Sequence, residues 1–198
     1  MDHFLNLVSS STRNLQNNVE AAVFGGGCFW CTEAVFGMLR GVCAVTPGYA
    51  GGTLTHPTYD AVARGTTGHV EVVKVDFNPA EISYHDLLTV FFASHDPTSR
   101  DQQGADVGSQ YRSVIFYTTP TQADVAQRYI AELSLATPKK IVTDVVPLDT
   151  FWSAETYHQQ YYEHHHDAPY CELVIAPKLE KVQQRFAALL KTNGHTTT

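Results

Sequence analysis

The stretch Gly25-Gly26-Gly27-Cys28-Phe29-Trp30-Cys31 constrains this chain more than any other. The apolar run Ala21-Ala22-Val23-Phe24 before it reads as a short buried strand. Behind it, Ala34, Val35, Met38, Leu39 and Val42 recur at helical spacing, which predicts an amphipathic helix. A strand must therefore become a helix within a few residues, and three consecutive glycines allow backbone angles that a Cβ forbids. Such a turn delivers Cys28 to a helix N-terminus. Unpaired N–H groups and the positive dipole end there favour a thiolate over a thiol. The expectation is a reactive cysteine with a depressed pKa. C-x-x-C also matches half of a zinc site or a buried pair of small hydrophobes, and the stretch alone leaves those readings open.

The 198 residues are ample for one domain with a real core. A net charge of −7 offers no basic footprint, so nucleic acid and anionic membrane are poor partners. No apolar run approaches the ~20 residues that cross a bilayer. Residues 1–18 lack the charged start and apolar centre of a secretory signal, and the single Arg13 is too little to argue an organellar transit peptide from Ser9-Ser10-Ser11-Thr12-Arg13. A cytoplasmic home is expected. In that reducing setting the four cysteines point to catalysis or metal rather than structural disulfides.

Further along, Cys43 to Tyr49 is a strand candidate, and Thr53 to Gly68 a loop-rich connection. Val70 to Phe77 is the clearest strand, bounded by Gly68 and Asn78-Pro79. Its period of two puts Glu71 in step with Val73, Val75 and Phe77, an unusual place for a carboxylate unless the strand lies at an edge. Ser83 reads as an N-cap with Asp86 three residues on, before a stripe of Tyr84, Leu87, Leu88, Phe91 and Phe92. A long polar loop runs from His95 to Gln110, and loops of that length tend to be functional. Strands are expected over Tyr111 to Tyr117 and Ile141 to Leu148, and helices from Pro120, over Ser153 to Glu163, and around Leu179 to Leu190. Pro169-Tyr170-Cys171 reads as irregular chain. The whole predicts a single α+β domain over residues 20–191, a mixed sheet with flanking helices in an α/β roll with a ferredoxin-like core and long loops. A flexible extension is expected over 1–19 and a disordered tail over 192–198.

Several of these stretches together resemble the type A peptide-methionine sulfoxide reductases. The family's Gly-Cys-Phe-Trp signature stands at Gly27-Cys28-Phe29-Trp30. Its next blocks are resembled by Gly48-Tyr49-Ala50-Gly51-Gly52, Pro57-Thr58-Tyr59, Gly68-His69-Val70-Glu71-Val72-Val73 and His95-Asp96-Pro97-Thr98. Gln103 to Ser113 and Ala154 to Tyr161 continue the series in family order, so the likeness runs from Val23 to Phe186. Two positions depart: Cys31 stands where the family often has Gly, and Ala105 where it commonly has Asn.

The chemistry is coherent with those residues. A sulfoxide sulfur becomes electrophilic when its oxygen is protonated or strongly hydrogen-bonded, and a thiolate can attack it. Cys28 is the expected nucleophile. Glu71, if buried, has a raised pKa and serves as the acid. The resemblance implies Tyr59 and Tyr111 as phenol donors to the sulfoxide oxygen, Asp106 as an organiser of the site, and Phe29 and Trp30 as aromatic surface for the methyl group. It also implies methionine sulfoxide of S configuration as substrate, free or in oxidised proteins. It implies no bound cofactor and an external dithiol reductant, thioredoxin in the cell or dithiothreitol in vitro. A monomer is expected.

The second thiol is contested. The resemblance points to Cys171, since Tyr170-Cys171 is similar to the family's C-terminal Tyr-Cys. Local geometry points to Cys31, three residues on from Cys28 in the first helical turn. Cys31 is expected to resolve first, with Cys171 able to take the bond over. Cys43, at the far end of the first helix, reads as core. His164-His165-His166 are adjacent on a helix and point apart, so no metal is expected there, and His69 is left without a role. A thioredoxin-like disulfide oxidoreductase using Cys28 and Cys31 is the alternative enzyme. A zinc-stabilised binding module using Cys28, Cys31, Cys171 and a histidine is the non-enzymatic one.

Overall fold

A strand-turn-helix unit opens the fold in the computed structural model, which describes residues 19–192. The extension expected over 1–19 and the tail over 192–198 lie, save residues 19 and 192 themselves, outside the described residues. Strand β1 (Glu20–Gly25) leads through Gly26 and Gly27 into helix α1 (Phe29–Gly37). Strand β2 (Val42–Ala50), helix α2 (Tyr59–Ala63), strand β3 (Val70–Phe77) and helix α3 (Tyr84–Ser94) follow. The long loop carries a two-rung hairpin, β4 (Gln102–Gln103) and β5 (Asp106–Val107). Then come β6 (Val114–Tyr117), α4 (Pro120–Ala136), β7 (Asp144–Pro147), β8 (Phe151–Ser153), α5 (Tyr161–His164) and α6 (Ala176–Arg185).

The sheet order is β7-β6-β1-β3-β2-β8, antiparallel except for the parallel pair β6 and β7. The middle four strands, β6-β1-β3-β2, with α1 and α3 as crossovers, form the split β-α-β arrangement of a ferredoxin-like core. Glu71 is thus on a central strand, with β1 on one side and β2 on the other, and the edge reading is excluded. One face of β3 carries Val73, Val75 and Phe77 into the core beneath the helices, and the other carries Val70 and Val72 into a smaller cluster with Val114 and Phe116. Phe24 of β1 is the hinge of the larger core, stacked on Phe36 at 5.2 Å and Phe91 at 5.0 Å between ring centroids.

Local signals that agree with the packing survive intact. Ser83 and Asp86 form a complete capping box at α3, a device that typically contributes ~1 kcal/mol. Four expectations are corrected. Helix α1 stops at Gly37, so Val42 and Cys43 belong to β2, and Cys43 is exposed rather than core. The short helix α2 interrupts the connection after Thr53, where Thr58 accepts from the Ala61 N–H as N-cap. The helix expected over Ser153 to Glu163 is instead the end of β8, a 3₁₀ turn (Thr156–His158) and α5. Gln160 there has φ +53°, and its N–H and that of Tyr161 are taken by the Glu33 side chain at 2.6 and 3.3 Å, so tertiary bonds to α1 override local propensity. Finally, Cys171 is not in irregular chain but begins a π-helical turn (Cys171–Ile175) that runs into α6.

Candidate active site

The glycine turn does what its composition requires. Gly27 has φ +96°, and a Cβ there would meet Gln103 at 2.8 Å, so the long loop packs directly against the turn. Gln103 is itself locked to Asp96, accepting from its N–H at 2.9 Å and donating to its carbonyl at 2.8 Å. Cys28 is the N-cap of α1, as expected, and is 8% exposed. The first helical N–H, that of Phe29, donates at 3.1 Å to Glu71 Oε2. The dipole end of α1 is therefore shared between the thiol and the buried carboxyl below it.

Glu71 is 2% exposed, and its pKa is pushed up to about 8, mainly by burial, with the Phe29 N–H working against it. It is a neutral acid at neutral pH. Two phenols face the same space. Tyr59 opens α2, its backbone N–H donating to Glu155 at 2.9 Å, and Glu155 is in turn held by the Tyr49 hydroxyl at 2.8 Å. Tyr111 closes a 3₁₀ turn, which Gln110 anchors by donating to the Ala63 carbonyl at 3.0 Å. Burial first, then the charges of Glu71 and Cys28 among others, raises Tyr59 to about 12, and burial with Glu71 raises Tyr111 further. Both remain proton donors at any working pH.

The thiol pair behaves differently from expectation. Cys28 and Cys31 are neighbours in the first turn of α1 and act on each other's titration. The Cys31 thiol first, then burial and the charge of Glu71, raise Cys28 well above the usual thiol range. Cys31 is lowered to about 7, chiefly by the neighbouring Cys28 thiol and further by Lys178 and Tyr170, with burial working against them. Within the pair it is Cys31, not Cys28, whose pKa is depressed. The reason is local: the neighbouring Cys31 thiol and burial hold Cys28 up, and the Tyr170 hydroxyl works against them.

Tyr170, which the sequence flagged only as the neighbour of Cys171, is a member of the site. Its hydroxyl donates to Asp106 Oδ2 at 2.9 Å and lies 4.0 Å from Cys31 Sγ. Asp106 is thus brought to the site on β5, as expected, through a partner that no pairwise spacing exposes. Cys171 is fully buried, and its thiol pKa is raised by burial and then by Cys31. Phe29 and Trp30 divide the aromatic role. Phe29 is 1% exposed and packs behind the site against Tyr49, Tyr59 and His158, whereas Trp30 is only partly buried. The Trp30 indole N–H donates to His158 Nδ1 at 3.2 Å, and its ring lies flat on Tyr161 with centroids 3.7 Å apart. His158 lies within the Ala154 to Tyr161 block that resembles the family, but the sequence assigned it no role. His69 is accounted for structurally: its Nδ1 accepts from the Gly52 N–H and its Nε2 faces the Leu54 carbonyl at 2.7 Å, pinning the loop after β2. Among the described residues no three His, Cys, Asp or Glu side chains converge as a metal set.

A nucleophilic thiol pair over a protonated carboxyl, ringed by phenols on an α+β scaffold, defines a thiol-dependent oxidoreductase. The comparisons place it more closely. The family model for peptide methionine sulfoxide reductase matches residues 20–190, and the chain belongs to that family. It is 55% identical over 172 residues to the peptide methionine sulfoxide reductase MsrA of Thermus thermophilus, covering 87% of this chain and 98% of that one. The corresponding protein of Acinetobacter baumannii is 50% identical over 173 residues, with 87% and 99% covered. Among solved structures, reduced Mxr1 of Saccharomyces cerevisiae superposes with a TM-score of 0.72 at 30% identity, over 77% of this chain and 89% of that one. Methionine sulfoxide reductase A of Corynebacterium diphtheriae gives 0.68 at 34% identity, over 74% of each. The family membership sets aside the disulfide oxidoreductase and zinc-module alternatives. No helix among the described residues is long and apolar enough to cross a membrane.

Proposed function

We propose that this protein reduces methionine S-sulfoxide, free or in oxidised polypeptides, to methionine, with residues 20–191 as the catalytic domain. The observation that carries the reading is Glu71: a buried, protonated carboxyl bonded to the helix turn that presents Cys28. An acid at that place is what a departing sulfoxide oxygen needs.

The pair first loses a proton near pH 7, chiefly from Cys31, and Cys28 then passes its own proton to the neighbouring Cys31 thiolate. The Cys28 thiolate attacks the sulfoxide sulfur while Glu71 gives its proton to the oxygen, which Tyr59 and Tyr111 hold by hydrogen bonds. Oxygen moves to Cys28, methionine leaves as the thioether, and Cys28 is left as a sulfenic acid. Cys31, now a thiol beside it, displaces water and forms the Cys28–Cys31 disulfide. Two thiols and one sulfoxide thus become one disulfide, one thioether and one water. Trp30 supplies the exposed wall for the methyl group, and Phe29 supports it from behind. Asp106, through Tyr170, fixes the hydroxyl beside the sulfurs.

Turnover needs an external dithiol, and we assign thioredoxin to that role in the cell. Yeast Mxr1 has a solved complex with Trx2, and its fold is shared here at a TM-score of 0.50 and 23% identity. The protein works as a monomer in the cytoplasm without a resident cofactor. Incubation with methionine S-sulfoxide and dithiothreitol, with methionine measured by chromatography, tests the reading. Multiple turnovers, abolished by Cys28→Ser, are expected. Dithiothreitol-linked disulfide exchange with no methionine would contradict it.

A further inference from the structure

Glu33 is the buried carboxyl that the chemistry does not use. It lies on α1, five residues beyond Cys28, and is 6% exposed. Its oxygens accept the backbone N–H groups of Gln160 at 2.6 Å and Tyr161 at 3.3 Å. Those two residues begin α5, and Gln160 is held at φ +53°, a conformation that a non-glycine residue adopts at a cost. No side chain of α5's own caps its start, so Glu33 supplies acceptors from another helix. The Tyr161 ring then lies on Trp30 at 3.7 Å with only 9° between the planes.

We propose that Glu33 is a positioning residue: by holding the Gln160 and Tyr161 backbone it presses Tyr161 onto Trp30 and fixes the wall that receives the substrate's methyl group. The last clause rests on the function proposed above, and the clamp itself does not. Two acceptors in one ionised group suit two converging donors; a protonated carboxyl keeps one good acceptor and turns the other oxygen into a donor facing an N–H. The clamp is therefore tight when Glu33 is ionised and loose when it is protonated. Burial pushes its pKa up to about 7, the two N–H groups and His164 pull it down, and Glu163 of α5 pushes it up. Protons reach it from a cavity of about 610 Å³ behind α1, whose wall also carries Cys43 of β2, His166, Glu180 of α6 and Lys191, and which Cys28 does not line.

The test uses Trp30 fluorescence in a Trp152→Phe, Cys31→Ser background, which removes the second tryptophan and the Cys31 titration. His158 beside Trp30, His165 on Tyr161 and Glu71 remain in both arms, so the difference between this background and the same background with Glu33→Gln is what is read. Emission is expected to change with a midpoint near 7, and Glu33→Gln is expected to abolish that transition. In otherwise unaltered protein Glu33→Gln should raise KM for methionine sulfoxide roughly tenfold with kcat within about twofold, a change of ~1.4 kcal/mol in binding. Tyr161→Leu keeps the carboxylate and both backbone bonds, so it guards against a folding defect at Glu33; it should reproduce the KM rise. A fluorescence transition that persists unchanged in Glu33→Gln overturns the clamp. Its loss with KM unchanged in both variants supports the clamp and rejects Trp30 as the substrate wall.

Discussion

The Tyr170 hydroxyl donates to Asp106 at 2.9 Å, joining the residue before Cys171 to the loop that packs under the nucleophile turn. This bond adds to the core packing of Cys171 and Ile175 in holding the C-terminal segment beside the thiol pair. A hydrogen bond to a charged acceptor contributes ~1.5–3 kcal/mol. Tyr170→Phe should therefore accelerate alkylation of the buried Cys171 by iodoacetamide roughly tenfold or more, by the same arithmetic. Labelling at the parental rate would show that burial alone protects Cys171.

The opposite shifts of Cys28 and Cys31 give a second expectation. Thiolate absorbance at 240 nm should show a first midpoint near 7 in the intact protein. Cys28→Ala removes the neighbour that holds Cys31 down, so the remaining midpoint should rise. Cys31→Ala removes the chief cause that holds Cys28 up, so Cys28 should titrate lower than it does in the pair, yet still above the usual thiol range because burial and Glu71 persist. A midpoint that stays near 7 in Cys31→Ala would return the charge to Cys28 and the helix N-terminus.

In the proposed mechanism Glu71 acts in its protonated form. Activity should fall as pH rises through about 8, where the carboxyl ionises. Glu71→Gln keeps a donor but cannot transfer a proton, so kcat should drop on the order of 10²–10⁴-fold. Stability moves with the same group. Its folded pKa lies above the unfolded value of ~4.3, so its contribution is complete below that value and is lost as pH rises through about 8. Denaturation midpoints should accordingly show Glu71→Gln gaining on the parent between pH 6 and pH 9. A constant difference would mean that Glu71 is ionised throughout.

What was legible in the sequence is whatever local pattern and packing agree on. The strand Val70–Phe77, the capping box of Ser83 and Asp86, and the abrupt turn before Cys28 all fall where composition puts them. The ordered motifs also pointed to Cys28, Glu71, Tyr59, Tyr111 and Asp106, which the structure gathers around one space. What was not legible is held by long-range polar bonds. Ser153 to Glu163 has helical composition, but Glu33, Trp30 and Tyr59 each take a bond from it or give one to it, and no sequence period reports a contact 127 residues away. The direction of the thiol shift is likewise not legible in the sequence, because it turns on burial and on the Tyr170 hydroxyl brought from 139 residues away.

The central claim is that Cys28 takes the sulfoxide oxygen and Cys31 closes the first disulfide. Fully reduced protein mixed with one equivalent of methionine S-sulfoxide, quenched in acid at intervals and mapped by peptide mass, tests it directly. The account predicts one methionine per chain and a Cys28–Cys31 bond before any bond to Cys171. Methionine released while Cys28 remains a free thiol, or a first-formed Cys28–Cys171 bond with Cys31 still reduced, would contradict it.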